Sequence, residues 1–131
     1  MAKQTILWAD DDNDDLQMIQ EILQKKEGEF EIVEVHNGRE ALEYLKTAKS
    51  TSEIPCLIIL DINMPVLDGK ETLSIIKKND DYKDIPVVVF TTSESELDKL
   101  FCQKFNTEMI TKPPTFKTLS AALDRLLNFC K

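Results

Sequence analysis

Asp61 stands directly after an apolar run, Leu57-Ile58-Ile59-Leu60. Four consecutive apolar residues, followed by Pro65 and the Asp68-Gly69 pair, are typical of a strand that a parallel sheet buries on both faces. Ligands of open parallel sheets collect outside the carboxyl ends of the strands, where Asp61 is expected to lie. An aspartate at a strand end can also simply cap a turn, so Asp61 alone does not establish a site.

Polar side chains of complementary chemistry follow three other apolar segments in the same way. The loops that follow parallel strands lie along one edge of the sheet, so we expect these side chains and Asp61 to converge. The other members of the set are Asp10 and Asp11 after residues 5–9, Thr91 after residues 87–90, and Lys112 after residues 108–111.

This set of side chains suits the transfer of a phosphoryl group to a carboxylate. Two like charges about 4 Å apart cost around 4 kcal/mol at an effective dielectric constant near 20, so three clustered carboxylates favour a divalent cation. Ligation by a few carboxylates, with water in the remaining positions, suits Mg²⁺ best. Lys112 supplies a compact positive charge for one phosphoryl oxygen, and the hydroxyl group of Thr91 can bind another. Attack by a carboxylate on phosphorus needs positioning and charge neutralisation rather than a strong base.

The elements that must position these side chains alternate between strands and helices. Alternation with short connections predicts an α/β fold, in which a parallel sheet carries helices on both faces. Residues 46–55 are polar and predict a loop, and the helical stripes, including that of Leu97 and Leu100, are predicted to face the core. The length of 131 residues predicts one domain, 1–131, with no output domain. The predicted strands are residues 5–9, 30–35, 56–60, 87–90 and 108–111, each followed by apolar residues at helical spacing.

Composition argues against several classes of function. Twenty-four acidic and 16 basic residues give a net charge of −8, which disfavours direct binding to nucleic acid or to an anionic membrane. The sequence has no apolar run near the roughly 18 residues of a membrane span and no signal-peptide pattern, so a cytoplasmic location is expected. Three cysteines without metal-binding spacing, Cys56, Cys102 and Cys130, predict reduced, buried or half-buried thiols. His36, the single histidine, is predicted to be a plain surface residue.

Four motifs, taken in order, resemble the response-regulator receiver domains of bacterial two-component systems. They are ILWADD at 6–11, LIILDINMPVLDG at 57–69, VVVFTT at 87–92 and TKP at 111–113. The resemblance covers essentially the whole chain and is highly specific when the motifs are taken together. It implies a flavodoxin-like (βα)5 three-layer sandwich with the parallel sheet order 2-1-3-4-5.

The resemblance implies a role for each residue that matches a family motif. Asp61 matches the phosphoacceptor, Lys112 matches the family's lysine, and Thr91 matches the hydroxyl that moves toward the phosphoryl group. Asp11 matches a direct metal ligand, and Asp10 matches an acid that usually reaches the metal through water. The implied Mg²⁺ site therefore consists of Asp10, Asp11, Asp61 and the backbone carbonyl of Asn63.

The sequence departs from the family pattern around the lysine. Family members usually carry Tyr or Phe as a rotamer switch three residues before the lysine, where this chain has Met109. A thioether is flexible and lacks the bulk and hydroxyl of a ring, so altered transmission of phosphorylation is expected. Pro114 stands where an apolar residue is common. The Lys112–Pro113 peptide bond is commonly cis in the family, and the sequence permits either isomer.

The function implied by the resemblance is that of a stand-alone receiver, which signals by protein contact and is not a conventional enzyme. The expected donor is a histidine kinase or a histidine phosphotransfer protein that docks on the first helix. The expected output surface consists of the fourth helix, fifth strand and last helix. Its candidates are Leu97, Lys104, Met109 and Phe116.

Three other interpretations compete with this one. The acidic residues after Asp10 partly match an EF-hand calcium loop, but Asp15 occupies the position that needs glycine, and a strand pattern precedes the loop. A haloacid-dehalogenase-type phosphatase also uses an aspartate at a strand end, but its signature continues with Thr or Val, and the chain has no room for the usual cap domain. The main alternative is a receiver-like interaction module that is never phosphorylated, which Met109 keeps open.

Overall fold

The computed structural model of the protein describes residues 4–25, 30–112 and 116–130, without the side chains of Asp15, Phe116 and Phe129. The expectations for Pro113, for its peptide bond and for Pro114 lie outside these residues. In the described residues the strands are β1 (Gln4–Ala9), β2 (Phe30–Val35), β3 (Leu57–Leu60), β4 (Val87–Thr91) and β5 (Glu108–Thr111). The helices are α1 (Asn13–Gln24), α2 (Gly38–Thr51), α3 (Gly69–Lys78), α4 (Glu96–Lys104) and α5 (Phe116–Leu127), followed by a 3₁₀ turn (Asn128–Cys130).

The strands form one parallel sheet in the order β2-β1-β3-β4-β5. β1 pairs with both β2 and β3, and the sheet then continues through β4 to β5 at the far edge. The α/β architecture and the strand order predicted from the resemblance are confirmed. The order of the strands reverses beside β1 and β3, which is where ligands of such sheets bind.

Each face of the sheet is covered by helices that bury apolar side chains against it. On one face Trp8 and Phe90 pack edge to face with ring centroids 5.6 Å apart, among residues of α1 and α5. On the other face Leu60 packs among residues of α2 and α3, including Leu45 and Leu73. All residues of β3 and β4 are buried. Because burying one such side chain contributes about 1.5–3 kcal/mol, these two strands hold the residues that follow them in fixed positions.

Side-chain caps begin the helices that follow the carboxyl edge of the sheet. Asp12 caps α1, since its carboxylate accepts a hydrogen bond from the backbone N–H of Asp14 at 2.9 Å. Asp68 caps α3 by accepting a bond from the backbone N–H of Glu71 at 2.9 Å. Each such cap is worth about 1 kcal/mol and sets the direction of the helix relative to the preceding loop.

Two predictions about the helices are wrong. Residues 46–51 belong to α2 rather than to a loop, because buried Ala48 continues the apolar stripe, and the helix ends only at Ser52, which has a φ of 59°. In α4 the side chains of Leu97 and Leu100 are not part of the core, since they are 74% and 59% exposed. The short helix α4 instead contacts the rest of the domain through buried Asp98 and Cys102 and half-buried Phe101.

The prediction of reduced cysteines is wrong for Cys56 and Cys130 and is confirmed for Cys102. Cys56 and Cys130 form a disulfide bond with a Cα–Cα distance of 5.2 Å, and Cys102 is a buried free thiol. The pairing arises because the 3₁₀ turn after α5 folds back onto the residue before β3. Their separation of 74 residues gave no local pattern that would reveal this contact.

Candidate functional site

Backbone hydrogen bonds continue the sheet beyond the ends of its strands and anchor the predicted functional residues. The N–H of Asp61 donates to the carbonyl of Ala9 at 2.9 Å, and the N–H of Lys112 donates to the carbonyl of Thr91 at 2.8 Å. The residues that follow β3 and β5 are therefore fixed to the neighbouring strand. Their side chains start from defined positions at one edge of the sheet.

Three carboxylates meet at this edge. Asp10, Asp11 and Asp61 each offer one oxygen, and these oxygens lie within 4.8 Å of one another. Asp10 and Asp61 are buried, whereas Asp11 is exposed. A cluster of oxygen donors with one open side fits a hard divalent cation that keeps part of its water shell. The predicted convergence of these three residues is confirmed.

Lys112 bridges the two buried carboxylates. Its Nζ lies 2.7 Å from Oδ2 of Asp10 and 3.0 Å from Oδ2 of Asp61. The lysine side chain is only 9% exposed, so these charge-assisted bonds are shielded from water. A positive charge thus already lies within hydrogen-bonding distance of the proposed acceptor.

The buried position of Asp10 changes its acidity. Burial raises the pKa of Asp10 from the ordinary 3.8 to about 6 and outweighs the opposing hydrogen bond from Lys112. The backbone N–H of Asp12 donates to Asp10 at 3.0 Å and also lowers this pKa, while the charge of Asp61 raises it. A proton, a lysine and a cation are therefore competing ways to satisfy this carboxylate.

The segment after Asp61 lies tightly against it. The backbone N–H of Ile62 donates to Oδ1 of Asp61 at 2.7 Å, which leaves Oδ2 to Lys112. A Cβ atom on Gly69 would lie 2.0 Å from the carbonyl oxygen of Asp61, so only glycine fits this close approach. The Asp68-Gly69 pair therefore serves packing and helix capping rather than ligation.

Thr91 lies buried at the end of β4, and its hydroxyl has a defined partner. Its Oγ1 accepts a hydrogen bond from the backbone N–H of Ser93 at 3.2 Å. The hydroxyl of Ser93 in turn donates to Oδ2 of Asp98 at 2.6 Å. Oδ1 of Asp98 lies 2.7 Å from Nζ of Lys70 on α3.

The roles of Lys70 and Asp98 were missed by sequence reasoning. No spacing rule joins them, because they lie on helices whose facing sides depend on how both pack on the sheet. No pattern in the sequence marks Asp98, which directly follows Leu97 in α4. Only the structure shows that Asp98 is 9% exposed while Leu97 and Leu100 are largely exposed.

Other predicted residues lie where expected, though nothing in the structure tests their roles. Asn63 is exposed in the loop after Asp61, and Met109 is half-buried in β5 against the core on the α2 and α3 face. Lys104 is exposed on α4 beside the ring of Phe105. The side chain of Phe116 lies outside the described residues. His36 is exposed, which confirms its prediction as a surface residue.

The fold and the site together define a class: a flavodoxin-like α/β domain with acidic residues and a lysine at the switch point of its sheet. Comparison with known families narrows the class. The family of the response regulator receiver domain matches residues 6–124, and the chain belongs to this family. Receiver domains are signalling modules that take phosphoryl groups from histidine kinases and bind a divalent metal ion.

Individual relatives agree with this assignment. The chain is 34% identical over 127 residues to response regulator Rcp1 of Synechocystis sp., covering 95% of this chain and 86% of that protein. It resembles the crystal structure of the phosphorylated cyanobacterial phytochrome response regulator RcpA with a TM-score of 0.88, 34% identity and coverage of 98% and 94%. The Mn²⁺-bound form of Rcp1 has a TM-score of 0.86, 33% identity and coverage of 97% and 94%.

In the described part of this chain, no helix has the length and apolar character of a membrane span.

Proposed function

We propose that this receiver accepts a phosphoryl group on Asp61 from a phosphohistidine of a histidine kinase or phosphotransfer protein, in the presence of Mg²⁺. The observation that carries the proposal is the position of Lys112, with Nζ 3.0 Å from Oδ2 of the buried Asp61 carboxylate. This arrangement places an acceptor and a counter-charge side by side. Asp10 and Asp11 add the donors for a cation.

In the proposed step, a carboxylate oxygen of Asp61 attacks the phosphorus atom of the phosphohistidine. An O–P bond forms as the N–P bond breaks, and the electron pair of that bond returns to the imidazole ring of the donor. Lys112 and the hydroxyl of Thr91 bind phosphoryl oxygens and offset the added negative charge. Hydrolysis of the acyl phosphate by water later releases inorganic phosphate and restores the carboxylate.

Mg²⁺ is the cation that we propose for this site. Asp10, Asp11 and Asp61 supply the carboxylate oxygens, and we propose the backbone carbonyl of Asn63 as a further ligand. Two or three carboxylates with several waters suit Mg²⁺, which dehydrates reluctantly. When bound, Mg²⁺ neutralises charge on the phosphoryl group during transfer. The Mn²⁺ held by the relative Rcp1 supports a divalent cation here.

Protein contacts complete the proposal. We propose that the donor docks on α1 and that the signal leaves through the surface formed by α4, β5 and α5. Exposed Leu97 and Leu100 on α4 support the second part, because large apolar side chains outside the core are typical of contact surfaces. A single domain over 1–131 and a cytoplasmic location stay predictions. The alternative of a receiver that is never phosphorylated is disfavoured by the assembled site.

Phosphotransfer from a panel of phosphorylated histidine kinases tests the proposal. We expect alkali-labile, hydroxylamine-sensitive label on the wild type and none on Asp61→Asn. Asp68→Asn is a matched control, because it makes the same substitution at a nearby aspartate that is not the proposed acceptor. Asparagine at this position can still cap α3. Label on Asp61→Asn equal to that on the wild type would show that another residue is phosphorylated.

A further inference from the structure

A buried carboxylate at the start of α4 joins two other elements beside the site. Oδ1 of Asp98 lies 2.7 Å from Nζ of Lys70 on α3, and its Oδ2 accepts the hydroxyl of Ser93 at 2.6 Å. The side chain of Asp98 is only 13% exposed. Each oxygen of this carboxylate is thus engaged by a different part of the fold.

Ser93 connects Asp98 to Thr91 through two hydrogen bonds. The backbone N–H of Ser93 donates to Oγ1 of Thr91 at 3.2 Å. A hydroxyl oxygen that already accepts a hydrogen bond keeps its proton for another acceptor. The position of the Ser93 amide therefore sets the direction in which the Thr91 hydroxyl points its proton. Thr91 ends β4 at the same edge of the sheet as Asp61, so this direction matters for a phosphoryl group on Asp61.

The charge of Asp98 strengthens the link. Hydrogen bonds from Lys70 and Ser93 keep the pKa of Asp98 below its ordinary 3.8, so the group is a carboxylate at neutral pH. Hydrogen bonds to ionised acceptors are shorter and stronger than neutral ones, and the 2.6 Å contact with Ser93 fits that pattern. The hydrogen bond to Asp98 therefore holds the loop between β4 and α4 in place at Ser93.

We infer that Asp98 is a positioning residue: it fixes Ser93, whose amide holds the Thr91 hydroxyl ready to donate to a phosphoryl oxygen on Asp61. Asp98 touches none of the reacting atoms and acts only through Ser93 and Thr91. The inference rests on the proposed function of Asp61. It adds α3 and α4 to the elements that set the geometry of the phosphorylated state.

Titration with beryllofluoride in saturating Mg²⁺ tests this inference, because beryllofluoride stands in for the phosphoryl group on an aspartate. We expect Asp98→Ala to bind it about fivefold more weakly, from loss of a hydrogen bond to a charged group. Affinity for Mg²⁺ alone should stay at the wild-type value, since no metal donor changes. Asp98→Asn should return the affinity to within about twofold, because its amide oxygen can still accept the Ser93 hydroxyl.

A second set of variants separates positioning from general destabilisation. Ser93→Ala should weaken beryllofluoride binding as much as Asp98→Ala, and the double variant should be no weaker than either single variant. Lys99→Met, which removes an exposed ion pair of the same helix, should bind as the wild type does. Amide hydrogen exchange of Ser93 should accelerate in Asp98→Ala and not in Lys99→Met.

The outcomes distinguish this inference from the proposed function. Wild type that binds no beryllofluoride would overturn the phosphoacceptor proposal, and the inference with it. Wild type that binds, with Asp98→Ala and Ser93→Ala equal to it, would overturn the inference alone. Equal weakening in all variants, including Lys99→Met, would also overturn the inference, because it would indicate general destabilisation rather than positioning.

Discussion

The buried carboxylate of Asp10 should make the stability of the metal-free protein fall as the pH rises through weakly acidic values. Burial raises its pKa from 3.8 to about 6, so the folded chain holds this proton more tightly than the unfolded chain does. The contribution of Asp10 to stability is therefore fully present at pH values below its pKa in the unfolded chain. It is lost as the pH passes from about 4 to about 6. At roughly 1.4 kcal/mol per pH unit, this interval corresponds to about 3 kcal/mol.

Comparison with Asp10→Asn isolates that contribution from the other carboxylates. The free energy of unfolding is measured by urea denaturation between pH 4 and pH 7 with a chelator present. The stability of Asp10→Asn relative to the wild type should rise by about 3 kcal/mol across this range, because asparagine has no charge to bury. Asp80→Asn, at a side chain that is 94% exposed, controls for the loss of one surface charge.

Two results would refute this reasoning. The first is a difference between Asp10→Asn and the wild type that stays constant within about 0.5 kcal/mol from pH 4 to pH 7. The second is an equal pH dependence in Asp80→Asn, which would attribute the effect to net charge.

Restoring Mg²⁺ at pH 7 should raise the stability of the wild type by about 2.7 kcal/mol at a hundred times its dissociation constant.

Three further predictions concern the disulfide, the metal site and a helix cap. Closing a loop of 74 residues is worth about 4 kcal/mol in the chain-entropy model. Cys130→Ser, or reduction of the wild type, should therefore lower the free energy of unfolding by up to that amount. A wild type whose stability does not change on reduction would contradict the pairing of Cys56 with Cys130. Millimolar Mg²⁺ should change the fluorescence of Trp8 in the wild type, while an equal change in Asp11→Ala would speak against the metal site. Asn37→Ala should destabilise the protein by about 1 kcal/mol in thermal or urea melts, because Asn37 caps α2, and Asn37→Asp should be neutral.

The sequence was sufficient where a prediction depended on local pattern and on the geometry of parallel sheets. Asp10 and Asp61 each follow a strand buried on both faces, and parallel strands place such residues at one edge. Long-range contacts had no such pattern. The polar sequence of residues 46–51 concealed the last part of α2, in which Ala48 is the one buried residue, and the pairing of Cys56 depends on where the 3₁₀ turn after α5 folds.

The site itself was predictable in its members but not in its internal connections. The pairing of Lys112 with Asp61 follows from the topology, because both residues end strands of one sheet. The link from Lys70 to Asp98 does not, because it depends on the rotation of α3 and α4 about their axes. Helix periodicity predicts the apolar face of each helix, but it did not predict that α4 buries a carboxylate beside Cys102 while Leu97 and Leu100 stay exposed.

Lys112 joins the two buried carboxylates of the site, and a proton and the proposed Mg²⁺ are its competitors for the same oxygens. The ammonium group bonds to Asp10 and Asp61, which come from different strands, and so offsets the repulsion between them. A proton on Asp10 weakens its attraction for Lys112 and for a divalent cation alike, so we predict that affinity for Mg²⁺ falls as the pH drops below about 6. In the proposed function, Mg²⁺ bound at neutral pH would share with Lys112 the neutralisation of these carboxylates. We propose that Nζ of Lys112 would then turn from Asp10 toward an oxygen of the incoming phosphoryl group, so that one side chain would serve both the unphosphorylated and the phosphorylated site.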